Sequence, residues 1–221
     1  MSSSIGPVLD GYVPPLLIAI LALLLIAARR TRAFARRRVV FDAAAIVILL
    51  IVAAGIERAM GRPPTYARGP VRLWSADINS AENSQQLFDP YTFTHVSHGV
   101  AFYALTRLAL GPQAVKLRAI VAIAAEAAWE VYENTDEVIN RYRTATIALG
   151  YYGDSVINSV FDILACGLGF VLARKLPPRV TVAGVIALEI ALALTIRDNL
   201  TLNIVMLLHP VDAIRRWQLG V

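Results

Sequence analysis

The stretch Gly11-Tyr12-Val13-Pro14-Pro15-Leu16-Leu17-Ile18-Ala19-Ile20-Leu21-Ala22-Leu23-Leu24-Leu25-Ile26-Ala27-Ala28 carries no charge and stands between Asp10 and the pair Arg29-Arg30. At about 1.5 Å per residue such a run, wound as a helix, matches the roughly 30 Å hydrocarbon core of a bilayer. No Lys or Arg precedes it and no small-x-small cleavage site follows, which favours a retained span over a signal peptide. Working outward, five more stretches read the same way: Val39 to Ile56, Tyr91 to Gly111-Pro112, Ala119 to Glu133, Asp154 to Ala173, and Val180 to Ile196. Leu200 to Leu208 is too short to cross and is followed by Pro210, so it reads as an interfacial or re-entrant helix. Only helices and closed barrels satisfy every backbone group in lipid, and runs of this length exclude strands. The expected fold is all-α: a polytopic membrane helix bundle of about six transmembrane helices plus an interfacial C-terminal helix. It forms a single integral membrane domain over residues 1–221, with external loops at about 59–90 and 134–153.

Composition agrees. Of 221 residues, 57% are hydrophobic and 17% charged, whereas soluble domains hold about a quarter charged. The single Cys166 excludes a disulfide framework and a Cys-rich zinc module. The net charge of +5 does not indicate nucleic acid, because the basic residues flank apolar runs instead of alternating with aromatics along one face. Eleven of them (Arg29, Arg30, Arg32, Arg36, Arg37, Arg38, Lys116, Arg118, Arg174, Lys175, Arg179) fall in three short connections, and nine are spread over the longer opposite set. By the positive-inside rule the short connections face the cytoplasm, and both termini are periplasmic in a bacterial inner membrane. Trp74, Tyr91, Phe93, Trp129, Tyr132, Tyr151 and Tyr152 then fall at the outer ends, as an interfacial belt does.

Function is sought among polar residues inside the spans, since a charge at the bilayer centre costs about 2.5 to 3.5 kcal/mol on insertion scales. The third span opens with His95 and His98, three apart on one side of a helix. The fourth carries Glu126, Glu130 and Glu133 as one stripe, and the fifth Asp154, Asn158 and Asp162 as another. His98, Glu126 and Asp162 each lie roughly 10 to 12 Å below the outer end of their span. The three stripes share a depth and are expected to meet in an outward-opening polar pocket. Neutral imidazole with carboxylates suits a divalent transition metal such as zinc. On that reading His95, His98 and Asp154 or Asp162 hold the metal, Glu130 is general base with Glu126 in the catalytic set, and Asn158 orients water. The substrate is then an envelope lipid or precursor.

Two other classes stay open. The carboxylate column is also the material of an ion or proton path. Ser, Asn and Asp on facing spans equally serve as interhelical hydrogen-bond glue in a non-enzymatic protein that holds a periplasmic partner through the loop around Ala81 to Tyr91. Among lesser features, Asp42 pairs locally with the Arg cluster, and Glu189 needs a partner, Arg107 or a pocket residue. Gly167 and Gly169 mark close packing around a buried Cys166, and His209 is interfacial. Arg197, Asp198, Asn199 and Asn203 are placed to wall the pocket. No G-x-S-x-G elbow, P-loop, H-E-x-x-H or dinucleotide fingerprint is present.

Several motifs together carry a resemblance: Leu73-Trp74-Ser75, Ala81-Glu82-Asn83-Ser84-Gln85-Gln86, Asp89 to His95 with His98-Gly99, Trp129-Glu130, Glu133-Asn134, Arg141-Tyr142-Arg143, Tyr152 to Ser155 with Asn158, Ser159 and Asp162, and Arg197-Asp198-Asn199 to Trp217-Gln218. From Val71 onward the chain resembles an uncharacterised family of small bacterial multi-pass membrane proteins (domain of unknown function 2585). That family implies a membrane fold and no assigned activity. More loosely, the span-opening His and the Asp-x3-Asn-x3-Asp series resemble VanZ-like membrane proteins, an analogy of fold only.

Overall fold

The computed structural model describes residues 6–31, 37–148 and 150–221, with side chains from Gly11 onward. Arg32 and Arg36 of the basic cluster lie outside the described residues. Helices α1 (Gly6–Arg29), α2 (Arg38–Ala59), α3 (Thr92–Leu110), α4 (Val115–Glu133), α6 (Val156–Lys175) and α7 (Pro178–Ile196) coincide with the six expected spans. Between and after them run the shorter α5 (Asp136–Ala145), α8 (Leu200–Leu208) and α9 (Asp212–Leu219). Among the described residues the only extended pairing is an isolated bridge between Trp74 and Phe88. Four helices, α1, α2, α6 and α7, are both long and apolar enough to cross a membrane. Helices α3 and α4, at 19 residues each, have the length but carry the polar stripes, so the count of six spans is approximate.

The distribution of side chains is inverted relative to a water-soluble fold. Buried polar and charged residues outnumber buried apolar ones among the described residues, while Leu16, Leu23 and Leu24 of α1, Val47 and Ile51 of α2, and Ile186, Ile190 and Leu194 of α7 are exposed. Lipid is the solvent in which that arrangement carries no penalty. The apolar core centres on α4, where Ile120, Ile123, Ala127 and Val131 meet Ile18 and Ala22 of α1, Ala45, Leu49 and Ala53 of α2, and Ile163 of α6. Ala45 and Ala53, two turns apart on α2, let its backbone approach.

The closest helix pair is α3 with α6, and two glycines allow it. A Cβ on Gly99 would stand 1.9 Å from the Cys166 carbonyl oxygen, and one on Gly169 would stand 2.0 Å from that of Val96. Gly167, expected to serve the same purpose, meets only Ile123 Cδ1 at 3.4 Å, an ordinary contact. Cys166 is fully buried, and Asp42 pairs with Arg29 at 2.6 Å.

Three expectations are corrected. The loop 134–153 contains α5, whose start is fixed by Thr135 accepting from Val138 N and by Asp136 and Glu137 in the first turn. Glu189 bonds not Arg107 but the start of α8, where Leu200 lines the cavity described below. Its carboxylate accepts from Leu200 N at 3.3 Å and from Thr201 N at 3.0 Å, and so caps α8. Since Glu189 precedes the end of α7 by two turns, about 10 Å, the chain doubles back and α8 starts beside α7. Arg118, counted as a flanking charge, is fully buried; it donates to the Tyr103 carbonyl at 2.8 Å and stacks over the Tyr103 ring at 4.4 Å.

The segment 62–91 folds inward. The first turn of any helix leaves N–H groups without partners, and here the loop supplies them: Ser155 N donates to Ser84 O, Val156 N to Pro63 O and Ile157 N to Pro64 O, at 2.9 to 3.2 Å. Ser155 Oγ donates to Gln85 O, and Asn158 Nδ2 to Gln86 O at 2.9 Å. Gln85, Gln86 and Asp89 are completely buried.

Candidate functional site

The α3–α6 contact and the centrality of α4 bring three helices together at one level. Asp89 begins the arrangement by taking Tyr91 N at 2.8 Å and Thr92 N at 3.3 Å, which caps α3 and fixes the rotation of its first turns. His95 and His98 thereby face α4, and both place Nδ1 on Glu126: His95 at 2.6 Å and His98 at 3.0 Å to Oε1. Glu130 Oε1 stands 3.1 Å from His95 Nδ1 without hydrogen-bond geometry, and Asp162 Oδ2 of α6 is 3.9 Å from His95 Nε2. Glu126, Glu130 and Asp162 are at most 4% exposed and His95 is 6% exposed, while His98 is half-buried. Glu130 Oε1 and Asp162 Oδ1 have no hydrogen-bond partner among the described residues, and a buried polar atom left so is costly.

Donor spacing fits an ion. One ligand atom from each of His95, His98 and Glu126 lies within 4.8 Å of the others, and so does one from each of His95, Glu130 and Glu133. Ligands about 2.1 Å from a single ion stand some 3.4 Å apart in tetrahedral geometry, so small side-chain movements close either triad.

Not every candidate joins this centre. Asp154 belongs to neither triad. It takes Asn134 Nδ2 at 2.9 Å and the Tyr151 hydroxyl at 3.0 Å, and its own N–H donates to Asn134 Oδ1. Asn158 is turned to the Gln86 carbonyl and away from the imidazoles. Glu133 reaches the same cavity wall as Asp154.

That cavity measures about 700 Å³ and adjoins the imidazoles. Ala101 and Phe102 of α3, Ala125 and Ala128 of α4, Pro15 of α1 and Leu207 of α8 give it apolar walls, and Tyr91, Tyr142 and Tyr151 edge its polar end. Trp129 and Tyr132, read as belt residues, line it too. Asp198 joins α8 to the entry of α3 by accepting from the Tyr91 hydroxyl at 3.0 Å and Asn203 Nδ2 at 3.2 Å. Sequence reasoning passed over Glu57, whose two carboxylate oxygens are buried without hydrogen-bond partners near Ser159 and Arg62. Its position closing an apolar run is that of an ordinary boundary charge, and only the inward fold of 62–91 buries it. Tyr142 and Tyr151 carried no helical spacing relative to the stripes and could not be placed by periodicity.

Comparison with known proteins follows the same outline. Residues 57–220 match the family model described as Protein of unknown function (DUF2585). The UPF0314 protein of Sinorhizobium fredii is 48% identical over 165 residues, covering 75% of this chain and 84% of the relative. The UPF0314 protein of Paracoccus denitrificans is 49% identical over 159 residues, 72% and 82% respectively, and that of Sphingopyxis alaskensis 47% over 161, 73% and 86%. No solved structure matches.

Proposed function

Since the chain belongs to the DUF2585 family of proteins of unknown function, its site must speak for itself, and we propose that it is a metal-dependent hydrolase or transferase acting on an envelope lipid or lipid-linked precursor. One observation carries this reading: two histidines converge on one buried glutamate at the wall of an apolar cavity, with one oxygen of each of two further buried carboxylates left without a hydrogen-bond partner beside them. A structural network would spend those oxygens on hydrogen bonds. A proton path would continue below Asp162 toward the opposite end, where the buried residues include Cys166, Phe170, Thr106 and the cationic Arg118, and where the one buried carboxylate among the described residues, Asp42, is paired with Arg29.

His95, His98 and Glu126 are the ligands, a two-histidine, one-carboxylate set that suits Zn²⁺ with a position left for water. The metal would supply an acidified water and a Lewis acid for the scissile carbonyl or phosphoryl oxygen. Glu130, beside that set, takes the proton as the water oxygen attacks, and returns it to the departing oxygen. Asp162 steadies the His95 ring from its Nε2 side. Compared with the sequence expectation, Glu126 moves from the catalytic acids to the ligands, and Asp154 and Asn158 leave the centre. In keeping with the flanking charges, the site faces the periplasmic side of the inner membrane.

The test is elemental analysis of detergent-purified protein, prepared without chelators and with zinc supplied, beside His98→Ala and Glu126→Gln. Near-stoichiometric zinc, lost in both folded variants, is expected. A folded wild type without metal would sink the reading.

A further inference from the structure

The cavity beside the histidines is selective in its chemistry. Its lower walls are apolar. Its polar end holds the carboxylates of Glu133, Asp154 and Asp162, and no Lys or Arg lines it among the described residues. The tyrosines there do not offset this, because their hydroxyl protons are committed. Tyr91 donates to Asp198 Oδ2 at 3.0 Å, Tyr151 donates to Asp154 Oδ1 at 3.0 Å, and the Tyr142 hydroxyl is turned to Glu133. Asp162 Oδ1, on a side chain nearly free of solvent, has no hydrogen-bond partner. What the end of the cavity presents is acceptors and aromatic faces.

At that end a guest with a free phosphate or carboxylate head would meet like charge, the two imidazoles on the wall being held on Glu126, while an ammonium would find carboxylates to bond and ring faces to lie against. We propose that the cavity binds a single-chain amphiphile with an ammonium head, the nitrogen against Glu133, Asp154 and Asp162, and the chain running between α3, α4 and α8. This assigns a guest to the cavity; it goes beyond the reaction proposed above and does not depend on it.

The experiment titrates protein in a neutral maltoside detergent with hexadecylamine, hexadecanol and hexadecanoate at pH 7, following affinity by calorimetry. The amine is expected to bind about tenfold or more tighter than either partner of equal chain length. Glu133→Gln and Asp154→Asn should each erode that preference, and Glu133→Gln decides if Asp154→Asn fails to fold. Equal affinity for the three heads, preference for the carboxylate, or an undiminished preference in both variants would overturn the proposal. Wild type separates the two readings: a folded protein without zinc that keeps its amine selectivity defeats only the metal enzyme, and near-stoichiometric zinc without selectivity defeats only the amine guest.

Discussion

Asp198 shows how a single side chain can make a membrane protein respond to pH. It receives the Tyr91 hydroxyl, Asn203 Nδ2, Gln218 Nε2 and the Asn199 N–H, so it links α3, α8 and α9. It is 2% exposed, and burial lifts its carboxyl to about 6 despite those donors, with Glu189 adding repulsion. A carboxyl raised above its unfolded value near 4 binds its proton more tightly when folded. Its contribution is therefore fully present below about pH 4 and is lost as pH rises through about 6. Between pH 7.5 and 5 the gain is about 1 kcal/mol, which for a chain of this size raises Tm by some 2 to 4 °C. In thermal unfolding in detergent, wild type should thus stabilise over that interval more than Asp198→Asn does. Identical slopes would show that the carboxyl stays ionised throughout. The same residue illustrates what spacing conveys. Asp198 and Asn203 were legible as possible wall residues from their position after a span, but their shared role with Tyr91 was not, because that bond joins positions 107 residues apart.

At the level of helices, the geometry of the histidine centre depends on how near α3 comes to α6. Gly99 is one turn from His95 on the same face, and Cys166, its contact, is one turn from Asp162. Any side chain at position 99 must push the two backbones apart and take His95 away from Asp162. Overpacking of this kind costs about 1 to 3 kcal/mol, and Gly99→Leu should lower Tm and zinc content together. Gly55→Ala on α2, where an added methyl meets nothing within 4 Å, should be neutral or stabilising by about 0.5 to 1 kcal/mol. Long apolar helices were readable because the absence of charge over a bilayer's thickness is a one-dimensional property. The polar stripes were readable because 3.6-residue spacing puts their members on one face. Helix α5 was not, since its Arg141, Arg143 and Asp136 mimic a solvated loop. Its signal was the Thr135-Asp136-Glu137 start, a cap followed by acidic residues. The capping of α8 by Glu189 was hidden because a mid-span acid gives no hint that the chain will double back beside it.

For the molecule as a whole, the side of the membrane on which the site opens follows from which loops carry the basic residues. Cys166 is the sole thiol and is fully buried, so new cysteines can be read against a silent background. In intact cells a membrane-impermeant maleimide should label Asn79→Cys, in the exposed part of the long loop, and leave Lys175→Cys unlabelled. The opposite pattern would turn the site toward the cytoplasm. The strap of residues 62–91 gives the molecule a further property. Its carbonyls are bonded to the start of α6, so Gln85 waits for Ser155, 70 residues later, and Gln86 for Asn158, 72 residues later. During synthesis the strap emerges long before the helix that fastens it, and α3, α4 and α5 must be made in between. The histidines and Glu126 are thus already in place while Asp162 and the outer closure are still missing. Completion of the centre coincides with the arrival of α6, which makes this helix the keystone of the centre's assembly, and α8 and Asp198 then close the cavity over it.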